Sequence, residues 1–160
     1  MKSKSQIVAT IGPASQDKET IKEMIDRGMD VARLNFSWGS HESHFAYIQN
    51  IRAAAEAAGR KIPIIQDLSG PRIQETSGHK FNEEMAELIT EKDLADLKFG
   101  LENNIEYVAM SYVGKAEDVL RLKDEMAKLG KSAPVISKIE RLSAVENLDE
   151  IIKASDGIMV

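Results

Sequence analysis

The sequence has no cysteine among its 160 residues. Disulfide bonds and thiolate chemistry are therefore excluded, and the redox compartment leaves no trace in it. It also lacks an excess of positive charge. Twenty-one lysines and arginines stand against 26 acidic residues, a formal net charge of -5, which argues against sequence-independent nucleic-acid binding. Small anionic ligands answer to local charge and stay open. No apolar run approaches the roughly 20 residues that cross a bilayer, and the opening MKSKSQIVAT has no signal-peptide hydrophobic stretch. A cytoplasmic protein, without membrane or nucleic acid as partner, is the expectation. What the chain does have is the profile of a soluble globular domain, 42% hydrophobic and 29% charged, at a length that suits one domain with a real core.

Short apolar runs alternate with longer amphipathic segments. QIVAT reads as a strand, IGPAS as a loop and DKETIKEMIDRG as a helix closed by Gly28. DVARLNF is a second strand, followed by a long helix with Ser40 as N-cap, Ser43 in its first turn and Gly59 at its end. IPIIQDL is strand three. From Ser69 to Ile89 the chain is polar, holds two glycines and a proline, and shows only a weak period. Order returns with a helix capped by Thr90, the strand EYVAMSYV, the helix AEDVLRLKDEMAKLG, the strand PVISKIE, the helix SAVENLDEIIKAS and the start of a sixth strand in GIMV. Strand alternating with helix implies right-handed crossovers and a parallel sheet, either doubly wound or part of a (βα)8 barrel. The first loop, TIGPAS, lacks the G-x-G-x-x-G of a dinucleotide fold. A barrel requires functional residues at the carboxyl ends of its strands.

Polar residues do gather there. In strand two, Arg33, Asn35 and Ser37 are spaced by two and share one face. Asp67 ends strand three on the side of Ile65, Ser111 lies near the end of strand four, and Lys138 and Glu140 end strand five. Glu140 and Asp67 offer hard oxygen ligands, with Asn35 and Ser37 as neutral oxygens, a set suited to Mg²⁺ or an alkali cation. Arg33 and Lys138 suit a phosphate or carboxylate. Together they fit metal-assisted chemistry on a small anion, with phosphoryl transfer as the natural case. A structural ion pair is the alternative for Lys138 and Glu140, and a satisfied barrel-rim role for Arg33 or Asp67. His41, His44 and His79 read as surface residues, Trp38 as packing over a loop, and the methionines as core filler.

IVATIGPAS, GMDVARLNFSWGSH, QDLSGPRI, TEKDLADLKFGLENN, VAMSYVGKAEDV, ISKIE and VENLDEIIKASDGIMV occur in an order that resembles the pyruvate kinase family, over nearly the whole chain outside 77–88. The resemblance implies a (βα)8 TIM-type barrel, here a partial barrel of about five βα units plus a sixth strand, with 70–89 a short linker in place of the family's lid domain. It implies a glycolytic phosphotransferase that moves phosphate from phosphoenolpyruvate to ADP, giving pyruvate and ATP, with Mg²⁺ and K⁺. On this resemblance Arg33 contacts the phosphoryl group and Lys138 stabilises it in transfer, with Ser111 beside the substrate. Glu140 is a Mg²⁺ ligand, while Asn35, Ser37, Asp67 and the carbonyl of Leu68 match the K⁺ site.

The chain departs from the family pattern at several points. Gln74 stands where an arginine on the nucleotide side is usual, Trp38 where a histidine is usual, and Gly114 where an arginine is usual. The second acidic Mg²⁺ ligand, strands seven and eight and the C-terminal domain have no counterpart in these 160 residues. Six strands do not close an eight-stranded barrel, so the expectation is a piece of a longer protein or self-association through exposed edges. Two further readings stand beside the kinase. One is nucleotide-independent enolisation or decarboxylation of pyruvate-like oxo acids; the other is a non-catalytic metabolite-binding or assembly module.

Overall fold

Each apolar run becomes a strand flanked by the helix that follows it. The computed structural model describes residues 5–75, 78–82 and 87–160, with 74, 75, 78 and 79 described by their backbone alone. The order is β1 (Ile7–Thr10), α1 (Lys18–Asp26), β2 (Met29–Asn35), α2 (His41–Ala57), β3 (Ile64–Asp67), β4 (Arg72–Glu75), β5 (Gly78–Phe81), α3 (Glu91–Glu102), β6 (Tyr107–Met110), α4 (Ala116–Lys128), β7 (Val135–Lys138), α5 (Leu142–Glu146), α6 (Leu148–Ala154) and β8 (Gly157–Met159). Six strands form one sheet in the order β1-β2-β3-β6-β7-β8, every pair parallel. Strand order never reverses, as it would in a doubly wound sheet. The fold is a partial TIM-type barrel.

The register is staggered as a barrel requires. Asn35 pairs with Asp67, Asp67 with Ala109, Ala109 with Ile136, and Ile136 with Gly157. One row thus runs from the end of β2 to the start of β8, which is the shear that tilts barrel strands. Alternation then sorts the side chains. On the concave side, Val31, Ile65 and Ala109 form a small apolar layer with Ile136 and Met159. On the other, Ala32, Leu34, Ile64, Val108 and Val135 pack with helix residues such as Ile51 and Leu122 in the main core. Full burial of one such aliphatic side chain is worth about 1.5–3 kcal/mol, so the helices are held chiefly by this layer.

The helix ends follow from their capping residues. Ser40 and Ser43 satisfy each other's backbone at the start of α2, and Thr90 and Asp93 do the same at α3. The last predicted helix is in fact two. It breaks at Asn147, whose side-chain amide donates to the carbonyls of Gly114 and Ser143, so a tie to the loop after β6 overrides the helical period.

At the amino ends of the strands an acidic side chain recurs. Asp30 accepts the backbone N–H of Ile7 in β1, Glu106 that of Ile64 in β3, and Asp156 that of Val135 in β7. Each acid lies at or just before a strand and fastens the strand that pairs with it. Asp30 and Asp156 are held below the usual carboxylate range, first by these backbone bonds, with Arg60 and Lys123 respectively adding to the effect.

The stretch expected to be irregular contains an antiparallel hairpin, β4 with β5, in register Arg72 with Phe81. Its strands are four residues each, too short and too polar for alternation to show. The backbone N–H of Asn82 closes its base on the carbonyl of Pro71.

Candidate functional site

The inward-facing rows end in polar groups because β2, β3 and β7 each carry a charged residue at or near their last inward position. Asp67 is the centre. Only 1% exposed, it receives Arg33 Nε on Oδ2 at 2.7 Å and Lys138 Nζ on Oδ1 at 3.2 Å. Arg33 Nη2 also lies 2.6 Å from Oδ2, and Nη1 donates to Thr10 Oγ1 at 2.7 Å, which spreads the guanidinium flat between β1 and β3. Lys138 donates further to Ser111 Oγ at 2.9 Å and lies 3.1 Å from Glu140 Oε1. Ser111 passes its own proton to the carbonyl of Leu68 at 2.6 Å. Lys138 and Glu140 thus share a face, as strand alternation requires.

These groups open onto a cavity of about 210 Å³, lined by Arg33, Asn35, Ser37, Ser111, Lys138 and Glu140, with Ser69 at its edge. All the expected site residues are therefore brought together. Asn35 and Ser37 sit at the rim, where Asn35 Oδ1 accepts the N–H of Ser37. Leu68 contributes its carbonyl, and its side chain belongs to the core. The two cations are matched in number by Asp67 and Glu140, and both cations line the cavity, where their N–H groups can meet an anion. An anion entering there replaces weak outward hydration with charge-assisted bonds.

Sequence reasoning missed four participants. Thr10 fixes the third edge of Arg33. The backbone N–H of Tyr112 donates to Glu140 Oε2 at 3.0 Å, and Tyr112 does so with φ at 57°, a conformation costly for an aromatic residue. Its phenol is pushed up, first by burial and then by the charge of Glu140. Arg72 donates to the carbonyl of Ser37 at 2.6 Å and lies 4.9 Å from the centre of the Trp38 ring. Asp93, 1% exposed, accepts from Gly70 N and Ser69 Oγ while capping α3. Only the Thr90–Asp93 spacing had a signal in the sequence.

Of the histidines, His44 needs correction, while His41 is exposed as expected. His44 is buried, 4% exposed, and stacks on Phe36 with ring centres 3.9 Å apart while Nε2 meets the carbonyl of Trp38 at 2.8 Å. Phe36 arrives from the end of β2, a tertiary contact that helix position does not reveal. Desolvation pushes the His44 pKa down, against the Trp38 carbonyl. His41 is exposed and bonds to the buried Asp96 at 2.7 Å. The His79 and Gln74 side chains lie outside the described residues. At Gly114, an added Cβ would overlap the Arg141 guanidinium.

The oxygens present fit the expected cations in kind. Among the described residues no cluster of three or more histidines and carboxylates forms a closed metal cage. Mg²⁺ commonly takes one or two protein carboxylates and completes its shell with substrate oxygens and water, and Glu140 at the cavity wall offers one carboxylate of that kind. The Asn35 amide oxygen, the Ser37 hydroxyl, the Asp67 carboxylate and the Leu68 carbonyl form an all-oxygen set from adjacent strands, suited to an alkali cation. Asn35 also lines a second cavity of about 330 Å³, bordered by Ile11, Pro13, Trp38 and Tyr47, so an apolar recess adjoins the polar one.

Comparison with known proteins places this arrangement in context. The family described as "Pyruvate kinase, barrel domain" matches in two segments, 2–86 and 80–160. A pyruvate kinase of Thermococcus litoralis is 31% identical over 237 aligned positions, covering 98% of this chain and 50% of the relative. One from Geobacillus stearothermophilus is 30% identical, covering all of this chain and 41% of the relative. One from Dictyostelium discoideum is 28% identical, covering 98% and 48%. The chain spans half or less of the length of these relatives.

Proposed function

The chain belongs to the pyruvate kinase family, through its barrel domain, and from that premise we propose that its polar cavity handles phosphoenolpyruvate and pyruvate in the family's phosphoryl transfer. The observation that carries this reading is the convergence of Arg33 and Lys138 on Asp67, with Ser111 and Glu140 beside Lys138. Two fixed cations with the Glu140 carboxylate at one wall suit a phosphate ester whose carbon also bears a carboxylate.

In this reading Arg33 holds the phosphoryl group and orients it. Its guanidinium is fixed by Asp67 and Thr10, so it needs no reorganisation as charge moves. Lys138 lies deeper and faces the oxygen between phosphorus and the enol carbon; when that bond breaks, its ammonium receives the negative charge left on the enolate. The phosphoryl group passes to ADP to give ATP, and the enolate takes up a proton to give pyruvate. Glu140 would hold Mg²⁺, and Asn35, Ser37, Asp67 and the Leu68 carbonyl would hold K⁺; these ions supply positive charge against the phosphoryl and carboxylate oxygens. The apolar recess beside Asn35 offers a nucleotide ring a place next to the phosphate. The same reading carries the glycolytic role and cytoplasmic location expected above.

We further read residues 70–89 as standing where the relatives carry their lid. Alignments of 237 to 243 positions exceed the 160 residues of this chain, and the two family segments meet at 80–86, which supports extra chain in the relatives at that point. A site without a lid excludes water less well, and that favours a second reading: enolisation or decarboxylation of pyruvate-like oxo acids, which needs the polar cavity but no nucleotide. The edges β1 and β8 close the sheet order on either side, with Ile7, Val8 and Ile158 exposed. We propose that copies associate through them.

The test is pyruvate formation from phosphoenolpyruvate and ADP with Mg²⁺ and K⁺, beside Lys138→Ala. Turnover should fall by about 10²–10³-fold in the variant. If the unaltered protein does not exceed the variant, autonomous kinase activity is wrong. Deuterium uptake at the pyruvate methyl without nucleotide, lost in Lys138→Ala, would then establish the enolisation reading. Ligand binding unchanged in both Lys138→Ala and Glu140→Ala would leave a non-catalytic binding module.

A further inference from the structure

The β4–β5 hairpin touches the barrel mouth through the two residues of one register pair. Arg72 reaches the loop after β2, bonded to the Ser37 carbonyl. Phe81, its partner across the hairpin, reaches the opposite side. Its ring lies 5.2 Å from that of Tyr112, and the Arg141 guanidinium lies 4.5 Å over its face. Arg141 has room for this position because residue 114 is glycine, and it is steadied by Asp118 at 3.6 Å. Tyr112 is confined from below as well. A Cβ at Gly70 would come within 3.0 Å of its ring, and Gly70 adopts a left-handed φ of +65° that tolerates this approach.

Tyr112 therefore sits between Gly70, just ahead of β4, and Phe81 of β5, 6% exposed, with φ at 57°. Such a backbone persists in an aromatic residue only where its surroundings impose it. What this conformation provides is direction: it turns the Tyr112 N–H onto Glu140 Oε2. Groups that hold a ligand's outer oxygen orient the ligand itself.

We propose that Phe81 is a positioning residue for Glu140: wedged against Tyr112 and Arg141, it holds Tyr112 in its left-handed conformation, and the Tyr112 N–H then sets the direction of the Glu140 carboxylate. The hairpin is on this view a brace across the mouth, tied at Ser37 on one side and at Tyr112 on the other. The metal part of the inference rests on the proposed role of Glu140; the brace itself does not.

Two measurements separate them. Hydrogen exchange at the Tyr112 amide reads the bond directly, with Glu140→Ala giving the rate of the unbonded amide. Phe81→Ala should speed that exchange at least tenfold and leave amides of β2 and β3 unchanged, while Phe81→Tyr restores protection. Arg141→Ala, which removes the other wall of the wedge and leaves Phe81 in place, should give part of the same effect. Tyr112 protection unchanged in Phe81→Ala overturns the proposal. Mn²⁺ binding in the presence of pyruvate, followed by electron paramagnetic resonance, should weaken about tenfold in Phe81→Ala and recover in Phe81→Tyr. Absence of Mn²⁺ binding in the unaltered protein would overturn the metal role of Glu140 while the exchange result still decides the brace.

Discussion

Arg33 and Lys138 divide the Asp67 carboxylate between them, one oxygen each, and this division keeps two cations apart in a buried place. A lysine in place of Arg33 could not span Asp67 and Thr10 together, since only the guanidinium offers a planar fork. His44 shows a different economy of charge. It is buried neutral, faced by Asp96, Lys92 and His41, and burial lowers its pKa against the usual value near 6.5. Below that value the unfolded chain takes up a proton that the folded chain refuses, so stability falls as pH drops from about 6.5 towards the lowered native value. His44→Gln can still donate to the Trp38 carbonyl but does not titrate. Its urea midpoint should decline less between pH 7.5 and pH 5.5 than that of the unaltered protein. Sequence reading put this histidine on the surface because its place near a helix start says nothing of Phe36, the ring that covers it. The charged residues at strand ends were legible for the opposite reason: alternation alone assigns their face.

At the scale of elements, α3 and the loop after β3 are joined through one side chain. Asp93 caps Thr90 and also binds Gly70 N and Ser69 Oγ. Asp93→Ala removes the cap, typically worth about 1 kcal/mol, and strands two buried donors at about 1–3 kcal/mol each. Chemical denaturation should show a loss of about 3 kcal/mol or more, whereas Thr90→Ala should cost about 1 kcal/mol. The helices and parallel strands were readable because their period repeats over many residues. The hairpin was not, since its strands are short and the contacts that hold it, Arg72 on Ser37 and Phe81 on Tyr112, are made with distant parts of the chain. The break at Asn147 escaped for the same reason.

At the scale of the molecule, the sheet has two outer strands with apolar side chains in water, Ile7 and Val8 on β1 and Ile158 on β8. If these edges meet in a second copy, mass from light scattering should rise with concentration, and Val8→Lys together with Ile158→Lys should hold the protein at the monomer mass, since charge on an edge discourages pairing. A single mass at all concentrations in the unaltered protein would rule out association by this route. The pattern of motifs made the family and its barrel recognisable early. Neither the tie between hairpin and mouth nor the fastening of the barrel floor had a counterpart in it, because both depend on where folded segments come to lie.

That floor has a practical meaning. Asp30, Glu106 and Asp156 stitch neighbouring strands at the end remote from the polar cavity, and each stitch involves only the two strands it joins and the side chains beside them. Three of the sheet's five seams, β1–β2, β3–β6 and β7–β8, are therefore fastened without reference to the chemistry above them. A βα unit could be exchanged with one from another barrel only if it brought an acid to the same seam and the same residue to the upper rim, because Arg33, Asp67 and Lys138 belong to the strands themselves.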